Sequence, residues 1–295
     1  MNRQRMTFSI LGAGRLGRTL GRVLIRRGLV PLGISCRTLR SARQAVAFIG
    51  GGHPTTSNPK AAAGAGLILI ATPDRAISPL ARELADAGLV LRGKIVAHTS
   101  GALASSTLDP IRQRGALVAS IHPLASIADP REVLRRFQGI PFAIEGDPGA
   151  VRQLRRLVVS LGGLPITIPR ESKALYHLIA CLLSNDLVAL LAFGLDAARA
   201  LGLGRRQAAR LYLPLVRGTI DNVVRLGPVK ALTGPISRGD VTTLRLHGDA
   251  LRSLPADLRR LHRLLAIRST GLALEAKTIS PDTAARLVRL LGNLP

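Results

Sequence analysis

Thr7–Ile25, TFSILGAGRLGRTLGRVLI, decides the fold, because it reads as a buried strand that runs through a glycine turn into a helix. Phe8, Ile10 and Leu11 make the short apolar run of a parallel strand, and Leu16, Leu20, Val23 and Leu24 recur at helical spacing. Between them stands a G-x-G-x-x-G, Gly12-Ala13-Gly14-Arg15-Leu16-Gly17. In that arrangement the first glycine makes the tight turn, the second lets backbone approach a pyrophosphate, and the third lets helix and strand pack closely. The unpaired N–H groups opening the helix then face phosphate, so Gly12 through Gly17 are the expected dinucleotide-binding residues.

Working outward, Val30–Cys36 reads as the second strand, and Arg37 and Thr38 follow where an adenosine ribose lies. An acidic residue there would accept from a ribose 2′-OH, whereas Arg37 and Thr38 suit a 2′-phosphate, so NADP is the expected cofactor. Gly66–Ala71 is a continuous apolar run, as in a central parallel strand, which places Thr72 and Pro73 beside the cofactor. Asp74 either caps the helix Ile77–Ala87 or takes a direct part. The strands Lys94–Ala97 and Ala116–Ile121 end in His98 and His122, two histidines at equivalent strand ends on the expected nicotinamide side. Each is either a substrate-binding residue or a structural histidine bonded to backbone. Ser100 either binds a substrate carboxylate or starts the next turn. His98, His122 and His177 could in principle form a three-histidine site, but no acidic second shell is visible and no metal is expected. Pro141–Glu145 and Leu164–Ile168 are the last strands, around the helix Ala150–Leu161, and from Pro169 onward the pattern is helical, with breaks at Gly202, Gly227-Pro228, Gly234-Pro235 and Pro281. The expected fold is therefore a Rossmann-like α/β N-terminal domain, 1–168, followed by an all-α substrate and dimerisation domain, 169–295.

Composition narrows the function classes. Across 295 residues, 47% are hydrophobic, with five Phe, two Tyr and no Trp, so the cores are aliphatic. The net charge of +25 comes mainly from arginines in short pairs such as Arg155-Arg156 and Arg205-Arg206 at helical spacing. These read as solvated helix faces, and without aromatic-interleaved basic patches no nucleic-acid partner is expected. Cys36 and Cys181 are too scattered for a disulfide framework or zinc site, and the N-terminus lacks signal-peptide features, so a cytoplasmic location is expected. Leu178–Leu195 is apolar but interrupted by Ser184, Asn185 and Asp186, which argues for a helix buried between domains or subunits rather than a membrane span. A homodimer without membrane association is the expectation.

The chain resembles a group of oxidoreductases that pair an N-terminal Rossmann-like NADP domain with a C-terminal helical domain of unassigned function. The resemblance is carried by GAGRLG, ATPD (Ala71–Asp74), HTSGAL (His98–Leu103), ASIHPLASI (Ala119–Ile127), AIEGD (Ala143–Asp147), Tyr176-His177, Ser184-Asn185 and ALTGPISRGD (Ala231–Asp240). It implies the wider superfamily of 6-phosphogluconate dehydrogenase, β-hydroxyacid dehydrogenases, ketopantoate reductase and deazaflavin-dependent NADP reductases, where dimers sharing a helical domain are common. β-Hydroxyacid dehydrogenases carry Lys-x-x-x-Asn on the first long helix, the lysine as acid or base and the asparagine orienting substrate. Counting back from Leu201-Gly202 sets Asn185 on that asparagine and Cys181 on the lysine, so the expected lysine is missing. Lys173 lies two turns upstream and His177 one, so the proton-transfer role has either moved to His177 or is absent. At about 100° per residue His177, Cys181 and Asn185 share one helical stripe, with Ser184 inside it. Arg238 either aims a guanidinium at a substrate carboxylate or pairs with a capping Asp240.

These readings predict an NADP-dependent reductase of a small anionic oxo acid, ketopantoate being the first to test, with His177 and Asn185 as catalytic residues in an interdomain cleft. Two alternatives stand beside it: a cyclic imine reductase of the pyrroline-carboxylate kind, and a non-catalytic NADP-binding regulator.

Overall fold

The computed structural model describes residues 6–293. Among the described residues, β1 (Thr7–Leu11), β2 (Val30–Ser35), β3 (His53–Thr55), β4 (Leu67–Ile70), β5 (Ile95–His98), β6 (Leu117–Pro123), β7 (Pro141–Gly146) and β8 (Leu164–Thr167) form one sheet in the order β3-β2-β1-β4-β5-β6-β7-β8. All neighbours are parallel except β6 and β7, whose antiparallel register sets Ser120 opposite Glu145. The connections between strands carry α1 (Arg15–Arg26), α2 (Leu39–Ile49), α3 (Asn58–Ala62), α4 (Ile77–Asp86), α5 (Asp109–Arg112), α6 (Pro130–Arg135) and α7 (Pro148–Ser160).

Both faces of the sheet are covered, which explains why β4 shows no polar alternation. Leu67 and Leu69 pack with Phe8, Ile10 and Leu24, while Ile68 and Ile70 pack with Ile77, Leu84 and Val96 on the other face. The chain leaves β1 toward β2 on one side and returns to β4 on the other, so a crevice opens beyond the carboxyl ends of β1 and β4. Gly12 turns the chain there at φ +85°, and a Cβ on it would lie 2.5 Å from Thr72 Cγ2. Only glycine fits both the left-handed backbone and that approach.

The backbone forms two compact units that divide inside α8 (Lys173–Ala197), one running up to Asn185 and the other starting at Asp186. The second unit continues with α9 (Arg205–Ala231), α10 (Val241–Leu251), α11 (Ala256–Glu275) and α12 (Pro281–Gly292). α9 is broken at Gly227, φ +74°, ahead of Pro228. The core of this unit is small, gathered around Leu244, Ala273, Ile279 and Leu287. α8 inverts the usual pattern: it is apolar on most faces, yet its only buried residue is Lys173. Arg170–Leu201 is long and apolar enough to cross a membrane by length and composition alone. Leu182, Leu183 and Val188 on α8, with Leu211, Leu215 and Val224 on α9, are exposed.

Candidate active site

The turn from β1 into α1 leaves backbone donors free. The first intrahelical bond runs from Arg18 N–H to Gly14 O, so the N–H groups of Arg15, Leu16 and Gly17 have no partner within the helix. Gly14 caps α1 without a side chain, no acidic residue stands in the first turn, and nothing lies within 4 Å of where its Cβ would be. Ala13 is buried, its N–H bonded to Ser35 O. A groove of about 360 Å³ continues from Gly12 past Cys36, Arg37, Asn58, Thr72 and Glu83. Thr72 Oγ1 is buried without a protein partner, and Pro73 opens the short turn Asp74–Ala76. Arg37 is exposed at the groove, while Thr38 Oγ1 accepts from Ser41 N–H and caps α2. An open glycine, a set of unpaired helix N–H groups, an orphaned hydroxyl and a guanidinium suit the phosphates of a dinucleotide.

A second cluster forms where α8 enters beside the ends of β5 and β6. Lys173 Nζ donates to Ser100 O and to Ser120 Oγ, both at 2.8 Å. Burial pulls its pKa down to about 8 against the opposing pull of Glu145 and Asp74. Ser100 Oγ donates to Asp74 Oδ2 at 2.8 Å and accepts from Ala102 and Leu103 N–H, so its hydroxyl is fully engaged in the turn. Asp74 takes that bond rather than capping α4, which starts without a side-chain cap. His98 is fully buried; Nε2–H donates to Ala104 O at 3.1 Å and Nδ1 accepts from Ser100 N–H, which assigns a neutral ring. Burial takes its pKa down to about 4.

His122 faces different surroundings. Its Nδ1 lies 2.9 Å from Tyr176 Oη, and its ring meets those of Tyr176 and His177 edge-on, with centroids 5.6 and 6.0 Å away. Burial, with the charges of Lys173 and His177, lowers its pKa to about 4, and burial raises that of Tyr176. The close meeting depends on Gly101, where a Cβ would lie 2.3 Å from His177 Cδ2. These rings open onto a cavity of about 440 Å³ whose polar lining is His122, Ser126, Tyr176, His177, Ser184 and Asn185. The rest of the lining is aliphatic apart from Cys181, and among the described residues no Asp, Glu, Lys or Arg lines it. His122, His177, Ser184 and Asn185 thus come together, whereas His98 and Ser100 are occupied inside the fold. Arg238 stands exposed in the second unit, where Asp240 caps α10 by accepting from Thr243 N–H and Oγ1. No group of three His, Cys, Asp or Glu side chains among the described residues is placed to hold a metal.

Two family models match: residues 1–123 match a Rossmann-like domain, and residues 140–269 match a domain of unknown function, DUF2520. Its N-terminal part is thus similar to the one domain family and most of the remainder to the other. No curated protein matches it in sequence. Among solved structures, a candidate NADP oxidoreductase from Bacteroides fragilis shares 23% identity at a TM-score of 0.73, over 90% of this chain and 98% of that one. Protein TM1727 of Thermotoga maritima shares 24% identity at a TM-score of 0.65, over 95% and 98%. The imine reductase of Myxococcus stipitatus in complex with NADP+ shares 18% identity at a TM-score of 0.60, over 96% and 99%. At these identities what is shared is the fold.

Lys173 and Tyr176, both within the stretch matched by the second model, are site residues to which sequence reasoning gives no role. A lysine at a helix start normally reads as solvated, and Tyr176 stands in an aliphatic run. The signal in the sequence is that Lys173 is one of only five lysines among 42 Lys and Arg residues, three positions ahead of Tyr176-His177 on an apolar helix. Lys173 and His177 also have the four-residue spacing that the resemblance assigns to Lys and Asn.

Proposed function

We propose that this chain is an NADP-dependent reductase that reduces a small oxo compound in the cavity beside His122, Tyr176 and His177. The observation that carries the reading is the presence, within one unit, of an open glycine turn at the end of β1 and a cavity with convergent neutral donors at the end of β6. The N–H groups of Arg15, Leu16 and Gly17 would hold the pyrophosphate, Arg37 the 2′-phosphate, and Thr72 Oγ1 a further polar atom of the cofactor. When bound, the nicotinamide supplies hydride. His177, Ser184 and Asn185, on one stripe of α8, orient the substrate. The solved structures named above support the reading, since one is a candidate NADP oxidoreductase and another binds NADP+.

The lining favours a carbonyl over an iminium. A cation held away from water needs a facing anion, and no carboxylate lines the cavity. Among the described residues neither Lys nor Arg lines it to pair a substrate carboxylate either, so oxo acids of the ketopantoate kind are tested beside neutral ketones, with cyclic imines as the second reading. Measuring NADPH consumption with 2-oxo acids, neutral ketones and cyclic imines tests the assignment, and oxo compounds are expected to turn over fastest. NADPH bound without any consumption would favour a regulator instead.

The protein is further proposed to act as a homodimer. Val188 and Val224 are 66% and 82% exposed, on helices whose unit has only a small core of its own. A second copy laid on α8 and α9 would cover them, and interfaces of this obligate kind bury about 2,000 Å² or more. Lys173, anchored to the sheet at one end of α8, and Asp186 and Asp196 along it, oppose burial of this helix in a bilayer.

A further inference from the structure

The first turns of α8 bring a phenol to an imidazole. Tyr176 Oη lies 2.9 Å from His122 Nδ1, and both residues line the cavity. A neutral imidazole carries one N–H, so the pair has two arrangements. With the hydrogen on Nδ1, His122 donates to Oη and the phenolic hydrogen is free. With the hydrogen on Nε2, the phenol donates to Nδ1 and Nε2–H is free. In both, one hydrogen of the pair has no protein acceptor among the described residues, because Oη and Nδ1 bond only to each other and Nε2 bonds to nothing.

We propose that Tyr176 is the catalytic proton donor of this site and that His122 restores its proton. The inference rests on the reductase reading above. As the carbonyl is reduced, its oxygen takes the phenolic hydrogen: the Tyr176 O–H bond breaks and the substrate O–H bond forms. Nδ1–H of His122 passes to Oη while a proton from water adds at Nε2, so neither tyrosinate nor imidazolate is left. One solvent proton is consumed per carbonyl reduced, and the pair ends in its second arrangement, from which a tautomer exchange resets it.

The surroundings fit that division of labour. The charged and titratable groups facing His122 are Lys173, His177 and the bonded Tyr176 phenol on α8 and Asp74 after β4. Burial first, and then the Lys173 ammonium, which lies 5.8 Å from the Tyr176 ring centroid, disfavour an imidazolium, so His122 works as a neutral relay and not as the acid itself. Burial keeps the Tyr176 phenol protonated at neutral pH, in the form that donates. His177 lines the same cavity, but its ring nitrogens lie 3.8 and 4.0 Å from Cys181 Sγ and bond no second acid or base.

Tyr176→Phe and His177→Ala, each checked for folding by circular dichroism, are compared for NADPH-dependent reduction of a 2-oxo acid and of a preformed cyclic iminium, with NADPH affinity measured separately. Tyr176→Phe is expected to slow oxo-acid reduction about 10²–10⁴-fold, the usual loss for a general acid, with NADPH affinity retained. Iminium reduction, which needs no further proton, should fall much less. His122→Gln is the second variant and should slow the same step by removing the resupply. Nitrogen NMR of the cofactor-free protein gives a readout without turnover: Tyr176→Phe should shift the His122 resonance and leave that of His98 in place. Unchanged oxo-acid reduction in Tyr176→Phe, or a loss confined to His177→Ala, overturns the inference and leaves the reductase reading standing. A wild type that consumes no NADPH with any substrate overturns both.

Discussion

Lys173→Met removes a buried ammonium while keeping the length of its stem, and the structure gives the sign of its effect at each pH. Lys173 is 2% exposed, and its pKa is about 8 against an ordinary 10.5. At about 1.4 kcal/mol per pKa unit, the fold disfavours the ammonium relative to the amine by roughly 3 kcal/mol. Below pH 8 both folded and unfolded chains hold the proton, so this cost is constant. Between about pH 8 and 10.5 the unfolded chain still binds a proton that the folded chain has released, so wild-type stability rises with pH through that window. Methionine has no such proton. The wild type should therefore gain roughly 3 kcal/mol on Lys173→Met between about pH 7.5 and 10.5. Near neutrality the two charge-assisted bonds to Ser100 O and Ser120 Oγ, each worth about 1.5–3 kcal/mol, oppose the relief of desolvation. The net change there should be small, and Ser100 O keeps a bond from Ser120 Oγ at 3.3 Å. Denaturant unfolding of both proteins followed by circular dichroism across that range measures the gap. A gap that stays constant with pH would refute the reasoning.

Acid unfolding and sedimentation test two other parts of the molecule. His98 is neutral and buried with a pKa of about 4, so the unfolded chain binds a proton between about pH 6.5 and 4 that the folded chain refuses. Wild-type stability should fall by roughly 3 kcal/mol more than that of His98→Asn over that window, and parallel acid-unfolding curves would contradict it. Val224→Glu, which adds a charge at an 82% exposed apolar position, should convert a dimer to monomer in sedimentation at micromolar concentration without changing the circular dichroism spectrum. A wild type that is already monomeric would remove the proposed interface.

How far the sequence could be read depends on which physical signal each part carries. The strand, glycine turn and helix from Thr7 to Arg26 are legible because backbone sterics and a continuous apolar run leave little choice. β3 is not legible, because three residues including Pro54 carry no periodicity, and the antiparallel direction of β7 follows from its pairing with β6 rather than from its composition. The two strand-end histidines look equivalent in sequence, yet their environments differ. His98 ends β5 in the sheet interior with both nitrogens bonded, whereas His122 lies further along β6, where Gly101 leaves room for the α8 rings. Lys173 is illegible for a related reason. Nothing local says that a lysine at a helix start will be the buried residue of that helix while most of its leucines stay exposed.

The central claim is that the Gly12–Gly17 turn and Arg37 hold NADP, and titration of the wild type and Arg37→Asp with NADPH and NADH tests it most directly. The wild type should bind NADPH on the order of a hundredfold more tightly than NADH, as expected for a charge-assisted contact to the 2′-phosphate. Arg37→Asp should erase that preference while leaving NADH affinity nearly unchanged. Equal affinity of the wild type for the two cofactors, or binding of neither, would contradict the account.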